Sequence, residues 1–259
     1  MKFTKTLIRK IPFAKALHIG LKQAAKHLTY RRQFHNFKIR STKGRFSINW
    51  NDRFPCLNDN ATSTSFDRHY IFHTAWATRI LAETQPISHI DISSSLYFVS
   101  QISAFIPTQF YDYRPAELNL SGLQCKHANL LHLPFEDASA ASLSCMHVIE
   151  HVGLGRYGDP LDPDGDLAAI AELKRVLSID GNLLFVVPIG KPKVMFNAHR
   201  IYSYNQIMEY FEELKLIEFS LIPDNAEQGG LIKNASKDLA DKQNYGCGCF
   251  WFKNTENKH

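Results

Sequence analysis

The first 51 residues contain no aspartate or glutamate; the earliest acid is Asp52. A stretch so one-sided in charge is unlike the mixed surface of an ordinary globular segment. Cysteine is sparse. The five residues, Cys56, Cys125, Cys145, Cys247 and Cys249, are an odd number in 259, which excludes a disulfide framework and points to a reducing compartment. Glycine (13) and proline (11) are too few for a collagen-like or low-complexity chain. No apolar run approaches the roughly 18 residues of a membrane span. The basic N-terminus lacks the apolar core and small-residue cleavage site of a signal peptide. The expectation is a cytoplasmic protein. Internal repeats are absent, which excludes a solenoid or propeller.

What is present is an unequal division of charge. Of the 30 lysines and arginines, 13 fall within residues 1–51. That leaves 17 against 25 acids in the rest, so the formal +5 conceals a basic arm and an acidic body. We divide the chain accordingly into a basic, partly amphipathic helical extension (1–51) and an α/β domain (52–259). In the arm, Phe3, Leu7, Ile11, Ala14, Leu17, Leu21, Ala24, Ala25 and Leu28 recur every three or four residues, the spacing of one helical face. Lys15, Lys22 and Lys26 flank it. Pro12 predicts a break, with a short helix before it and a longer one after. An apolar stripe with flanking lysines suits an anionic membrane surface through residues 1–45, or packing on the acidic body. It argues against nucleic acid, which has no need of the stripe.

Residues 41–64 read as irregular. A helix is predicted from about Ser65 to Leu81. Beyond it, strands and helices alternate. The predicted strands are Ile87–Ile92, Thr108–Tyr113, a weak one over 124–128, Ser142–Met146, Leu183–Val187, Ile217–Leu221 and Cys249–Phe252. Leu183–Val187 is continuously apolar, as in a strand covered on both faces. A helix before it has Asp166 as N-cap, core positions Leu167, Ile170, Leu173 and Leu177, and Gly181 past its end. Asn205–Leu214 is a further helix. The alternation implies a doubly wound α/β sheet.

Such sheets bind ligands beyond the carboxyl ends of their strands. After the first strand stands Asp91-Ile92-Ser93-Ser94-Ser95, whose small residues let backbone approach a ligand. Asp112 ends the second strand 21 residues later, a spacing that suits a carboxylate accepting ribose hydroxyls. Ala128-Asn129 and Leu133-Pro134-Phe135 follow the third strand, and His147-Val148-Ile149-Glu150-His151 the fourth.

This order resembles class I methyltransferases that use S-adenosylmethionine. A closer resemblance rests on Phe66–Tyr70, His147–Asp166, Phe196–Arg200 and Tyr245–Gly248. These stretches are similar to an uncharacterised bacterial methyltransferase-like family catalogued as domain of unknown function 268. The resemblance implies a mostly parallel, seven-stranded, Rossmann-like sheet and S-adenosylmethionine as cofactor. By position, Asp91 would lie near the methionine end, Ser93 and Ser95 would line the loop, Asp112 would hold the ribose, and Asn129 would meet the adenine edge. The loop departs from the usual Asp-x-Gly-x-Gly of class I methyltransferases, and a Cβ stands at each place where that pattern has none. Methyl transfer to a hydroxyl or amine needs a base, and His147, His151 and His199 are the candidates, with Glu150 to orient a neighbour. The implied activity is methyl transfer to a small molecule or glycan, in a setting such as bacterial surface-polysaccharide synthesis. The alternative is a non-catalytic scaffold of the same fold, recruited to a membrane by its basic helix.

No metal site is expected. Cys247-Gly-Cys249 has a single spacer where zinc knuckles have two to four and reads as part of a terminal strand. The acidic loop 159–166 lacks the EF-hand pattern and reads as a rigid turn. His69 and His73 have the spacing of a two-histidine metal pair, but Tyr70 stands where a metalloprotease has glutamate. They read as packed or capping residues.

Overall fold

A computed structural model of the chain describes residues 4–255, with side chains from residue 17 onward. It forms two compact units, one ending at Ser65 and the other beginning at Phe66.

The first unit is built on α1 (Thr4–Arg40), which runs unbroken through Pro12. The sequence reading predicts a break there. Proline's fixed φ is itself helical; it costs one N–H and crowds the carbonyl four residues back, and the turns on either side carry the helix on. Phe3 and the side chains of Leu7, Ile11, Ala14 and Lys15 lie outside the described residues. Leu17, Leu21 and Leu28 are exposed. On another side of the helix, Tyr30 and Phe34 hold Trp50 at 6.1 and 4.9 Å between ring centres. The Arg53 guanidinium sits 4.5 Å from the same ring.

The second unit opens with α2 (Arg68–Thr84), capped by the Asp67 carboxylate, which accepts from the Tyr70 N–H at 3.2 Å. Then follow β1 (His89–Ile92), α3 (Leu96–Ile102), β2 (Thr108–Asp112), β3 (Leu123–His127), β4 (Ala140–Met146), α4 (Gly165–Val176) and β5 (Leu177–Ile189). A hairpin of β6 (Lys193–Met195) and β7 (His199–Ile201) stands apart from the main sheet. The chain continues through α5 (Tyr204–Tyr210), β8 (Lys215–Ile222), β9 (Ile232–Lys233), α6 (Lys237–Asp241) and β10 (Gly246–Lys253). The sheet order is β3-β2-β1-β4-β5-β10-β8-β9. The first five strands are parallel, and β10 runs antiparallel between β5 and β8. Two-residue β9 on the β8 edge makes eight strands where seven are expected.

Both faces are covered, and side chains alternate between them with the period of two that a strand imposes. Leu183, Phe185 and Val187 join Leu173, Phe211, Phe250 and Phe252 on one face. Leu184 and Val186 join Trp76, Leu81, Phe98 and Val99 on the other.

One helix start differs from the prediction. Asp164, not Asp166, is the N-cap of α4. The Asp166 carboxylate is buried, accepts from the Tyr202 hydroxyl at 2.8 Å and lies 3.5 Å from the Arg200 guanidinium. A buried acid with two such partners has no free oxygen to spend on a cap. Leu177 and Gly181 fall inside β5, and Leu167 is exposed.

Candidate active site

Reading outward from β1, the strand order runs through β2 to β3 on one side and through β4 to β5 on the other. The switch point is therefore between β1 and β4, where open α/β sheets bind ligands. Asp91 and the serine loop leave β1 here, and His147 leaves β4. The Met146 N–H at the end of β4 donates to Ser94 Oγ of the loop at 3.0 Å.

The serine loop has the backbone of a glycine loop. Ser93 has φ +54°, a left-handed conformation that costs a non-glycine residue about 1–2 kcal/mol. Both inner hydroxyls turn back to strand backbone, Ser93 Oγ donating to the Tyr111 carbonyl at 3.1 Å and Ser94 Oγ accepting from Met146. Ser95 is the half-buried N-cap of α3, and its side chain makes no capping bond. Asp91 is fully buried. Its Oδ1 accepts from the Ser94 N–H at 3.0 Å, and its Oδ2 accepts from the Ser144 hydroxyl. One oxygen thus holds the loop and the other ties β1 to β4. Behind them Ser144 and Ser142 each lie 2.8 Å from a ring nitrogen of buried His89. Burial raises the Asp91 carboxyl to about 6, against the hydrogen bonds from Ser144 and Ser94. Burial alone holds His89 down at about 3.

Asp112 ends β2 half-buried. Its Oδ1 accepts from the Arg114 N–H at 2.7 Å, and its other oxygen has no partner among the described residues. Asn129 Oδ1 accepts from the Leu131 N–H at 3.0 Å, so its carbonyl caps a turn.

Beyond β4 the histidines converge. His147 has φ +58°, another strained position of the kind that gathers at working sites. Its Nδ1 donates to Glu150 Oε1 at 2.8 Å, which leaves Nε2 as the lone-pair nitrogen, buried and without a partner among the described residues. His151 sits on a short 3-10 turn, Ile149–His151. Its Nδ1 donates to the Ala198 carbonyl at 2.6 Å, and Nε2 lies 3.8 Å from Glu150 Oε1. His199, on the hairpin, lies 6.4 Å from the His151 ring and 4.9 Å from Tyr245. Burial lowers both His151 and His199 against the attraction of Glu150.

The structure adds residues that the list of candidates leaves out. His69 stacks on His147 at 5.4 Å and on Tyr245 at 5.1 Å. His73 meets the His147 ring edge at 5.1 Å, with both of its nitrogens buried and unpartnered among the described residues. Tyr70 stacks on His147 at 5.6 Å. Cys247 brings its thiol to His69 and His147. Burial is the main cause that lowers His69 to about 4 and raises Tyr70 to about 12. The spacing of His69 and His73 was the one signal for this convergence.

The acidic loop is tied to its own backbone. Asp159 accepts from the N–H groups of Gly153 and Tyr157 at 2.8 and 3.2 Å. Burial would raise it, but these bonds outweigh burial and hold it below the ordinary carboxylate range. Arg200 clamps the loop through the carbonyls of Val152 and Pro163 at 2.6 and 3.0 Å.

Residues 123–233 match a family described as Caenorhabditis protein of unknown function, DUF268. That description overturns the bacterial setting expected from the sequence, and the surface-polysaccharide setting goes with it. No curated protein matches the chain. Among solved structures, it is similar to the N-methyltransferase NodS of Bradyrhizobium japonicum, which is bound to S-adenosyl-L-homocysteine. The two share 13% identity over 71% of this chain and 86% of that one, with a TM-score of 0.50. The fold is that of the class I methyltransferases. The YcgJ protein of Bacillus subtilis (14%, 71% and 100%, TM-score 0.48) is similar as well. So is the 1,6-didemethyltoxoflavin-N1-methyltransferase of Burkholderia thailandensis (12%, 71% and 79%, TM-score 0.48).

Proposed function

We propose that the chain is an S-adenosylmethionine-dependent methyltransferase acting on a small molecule or glycan. The observation that carries this reading is the pairing, at the switch point, of a serine loop in glycine-like conformation with the free oxygen of Asp112. The residues fit the cofactor. The two inner hydroxyls are bound to strand backbone rather than filling the loop's ligand side, and Asp112 would take the ribose. Ser93, Ser95 and Asn129 would line the methionine and adenine ends, while Asp91 shapes the loop from below. Bound there, the cofactor supplies a methyl group on a sulfonium.

The chain's own part is to position the acceptor and take its proton. Tyr70, Tyr157 and Tyr245 surround the histidines with flat apolar surface. His151 is kept neutral by burial, and its Nδ1–H is held on the Ala198 carbonyl. Its Nε2 is the base for a hydroxyl or amine acceptor, with His199 beside it. His147 is held by Glu150.

Calorimetry with S-adenosylhomocysteine tests the reading. Saturable binding is expected, weakened at least tenfold (about 1.4 kcal/mol) in Asp112→Ala. No binding at millimolar ligand, or equal affinity in the variant, would favour the non-catalytic scaffold.

For α1 we infer docking on an anionic membrane. Leu17, Leu21 and Leu28 are 56%, 63% and 67% exposed, and no acid stands among its residues. No helix among the described residues is long and apolar enough to cross a membrane, so contact would be peripheral. In flotation with phosphatidylserine vesicles, the full chain should co-float at low salt. Replacing the three leucines by serine should abolish co-flotation; undiminished flotation would exclude α1 as the anchor.

A further inference from the structure

We propose that His69, His147 and Cys247 form a binding site for a borderline-soft transition-metal ion of the zinc class. The proposal stands apart from methyl transfer.

One ligand atom from each residue lies within 4.8 Å of the other two. Ligands of a tetrahedral zinc ion, at about 2.0–2.3 Å from the metal, are about 3.4–3.8 Å apart, so closing the site draws the donors together by about 1 Å and turns the stacked His69 ring toward the ion. The donors come from three distant parts of the chain: the first turns of α2, the residue after β4, and β10. Two imidazoles and a thiolate are the ligand chemistry of zinc-class ions rather than of magnesium or calcium, which take oxygen.

The surroundings of His147 are those of a prepared ligand. Glu150 accepts from Nδ1 at 2.8 Å, which fixes the tautomer and aims the Nε2 lone pair away from the carboxylate. A carboxylate behind a ligating histidine is the usual support of a metal site. That Nε2 is buried and has no partner among the described residues. Leaving a buried polar atom unpaired costs about 1–3 kcal/mol, and an ion would satisfy it.

Three donors leave a coordination position open, as in metal sites that bind water or substrate. Further donors lie close by: His73 is 5.1 Å from the His147 ring with both nitrogens unpartnered among the described residues, and the Cys249 sulfur is 4.0 Å from that of Cys247. On binding, the Cys247 thiol gives its proton to solvent and a sulfur–metal bond forms, with no change of oxidation state.

The test uses the full chain, freed of metal by chelator and then titrated with Co²⁺ and Zn²⁺. A single ion per chain and a thiolate-to-cobalt charge-transfer band are expected. His69→Gln, at the half-buried edge of the site, should weaken Zn²⁺ at least 100-fold, and Cys247→Ser should abolish the band. Glu150→Gln should weaken Zn²⁺ about 10–100-fold. Cys56→Ser, at an exposed thiol of the first unit, should leave all readouts unchanged. Circular dichroism identifies any variant that fails to fold, in which case the His69 variant decides. Absence of the band in folded protein, or its survival in both ligand variants, would overturn the site. Metal content is read without cofactor, and S-adenosylhomocysteine affinity is read without metal, so the two proposals fail separately.

Discussion

Gly153→Ala is expected to destabilise the second unit by about 3 kcal/mol. Gly153 has φ +80°, and a Cβ there would lie 2.0 Å from the Asp162 carbonyl oxygen. The left-handed conformation alone costs a residue with a Cβ about 1–2 kcal/mol. The contact is with backbone, so no rotamer relieves it. The loop must open, which breaks the Asp162 N–H bond to the Gly153 carbonyl (2.9 Å) and shifts the Gly153 N–H from Asp159, about 1 kcal/mol for each bond. Gly158 is the internal control. It has φ +85° with open space around the would-be Cβ, so Gly158→Ala should cost only the conformational part. Urea midpoints of the two variants decide the matter. Equal losses would show that the contact with Asp162 does not hold the loop.

A second large effect concerns pH. The folded Asp91 carboxyl titrates at about 6 against an ordinary 3.8. Between those values the folded state binds more protons than the unfolded chain, so stability is lost as pH rises. The cost, about 3 kcal/mol, is fully present above pH 6. His89 acts in the opposite direction. Its folded value of about 3 lies below the ordinary 6.5, so the unfolded chain binds more protons in that window and stability is lost as pH falls, by about 1.4 kcal/mol per unit. From pH 4 to 6 the two slopes cancel in the native protein. Asp91→Asn imitates the protonated acid: its amide can donate to Ser144, and its oxygen can accept from the Ser94 N–H. The variant should therefore be more stable than the parent at pH 7 by up to about 3 kcal/mol, and the advantage should vanish by pH 4. Denaturant midpoints at the two pH values test this. An advantage of equal size at both would refute the role assigned to Asp91.

Much of the sheet could be read directly because a buried parallel strand is apolar on both faces. Leu183–Val187 meets that condition and lies in β5. The hairpin β6–β7 escaped because each strand has only three residues, too short for any period to register. Asp166 was misread because a helix cap and a buried ion-pair partner look alike in sequence; the distinction lies in Arg200 and Tyr202, more than 30 residues away. The site was half legible. His147, His151 and His199 follow from strand ends. The meeting of His69 and His147 with Cys247 does not, since no local pattern encodes contacts among the first turn of α2, the residue after β4 and the start of β10. His73 illustrates the ambiguity: its spacing from His69 fits a packed residue and a ligand equally well.

The place of β10 has a consequence for how the chain reaches this fold. β10 follows β8 in sequence yet lies between β8 and β5, so Cys249 must find Val186 and Ser220 at once. Such non-local pairing is slow to nucleate. Until β10 inserts, β5 and β8 each present an unpaired edge. On β5 that edge belongs to a strand rich in leucine, isoleucine and valine, the kind of template on which a second chain can add a strand. The hazard for this protein therefore lies in the interval before insertion, and conditions that lengthen it should favour aggregation over refolding.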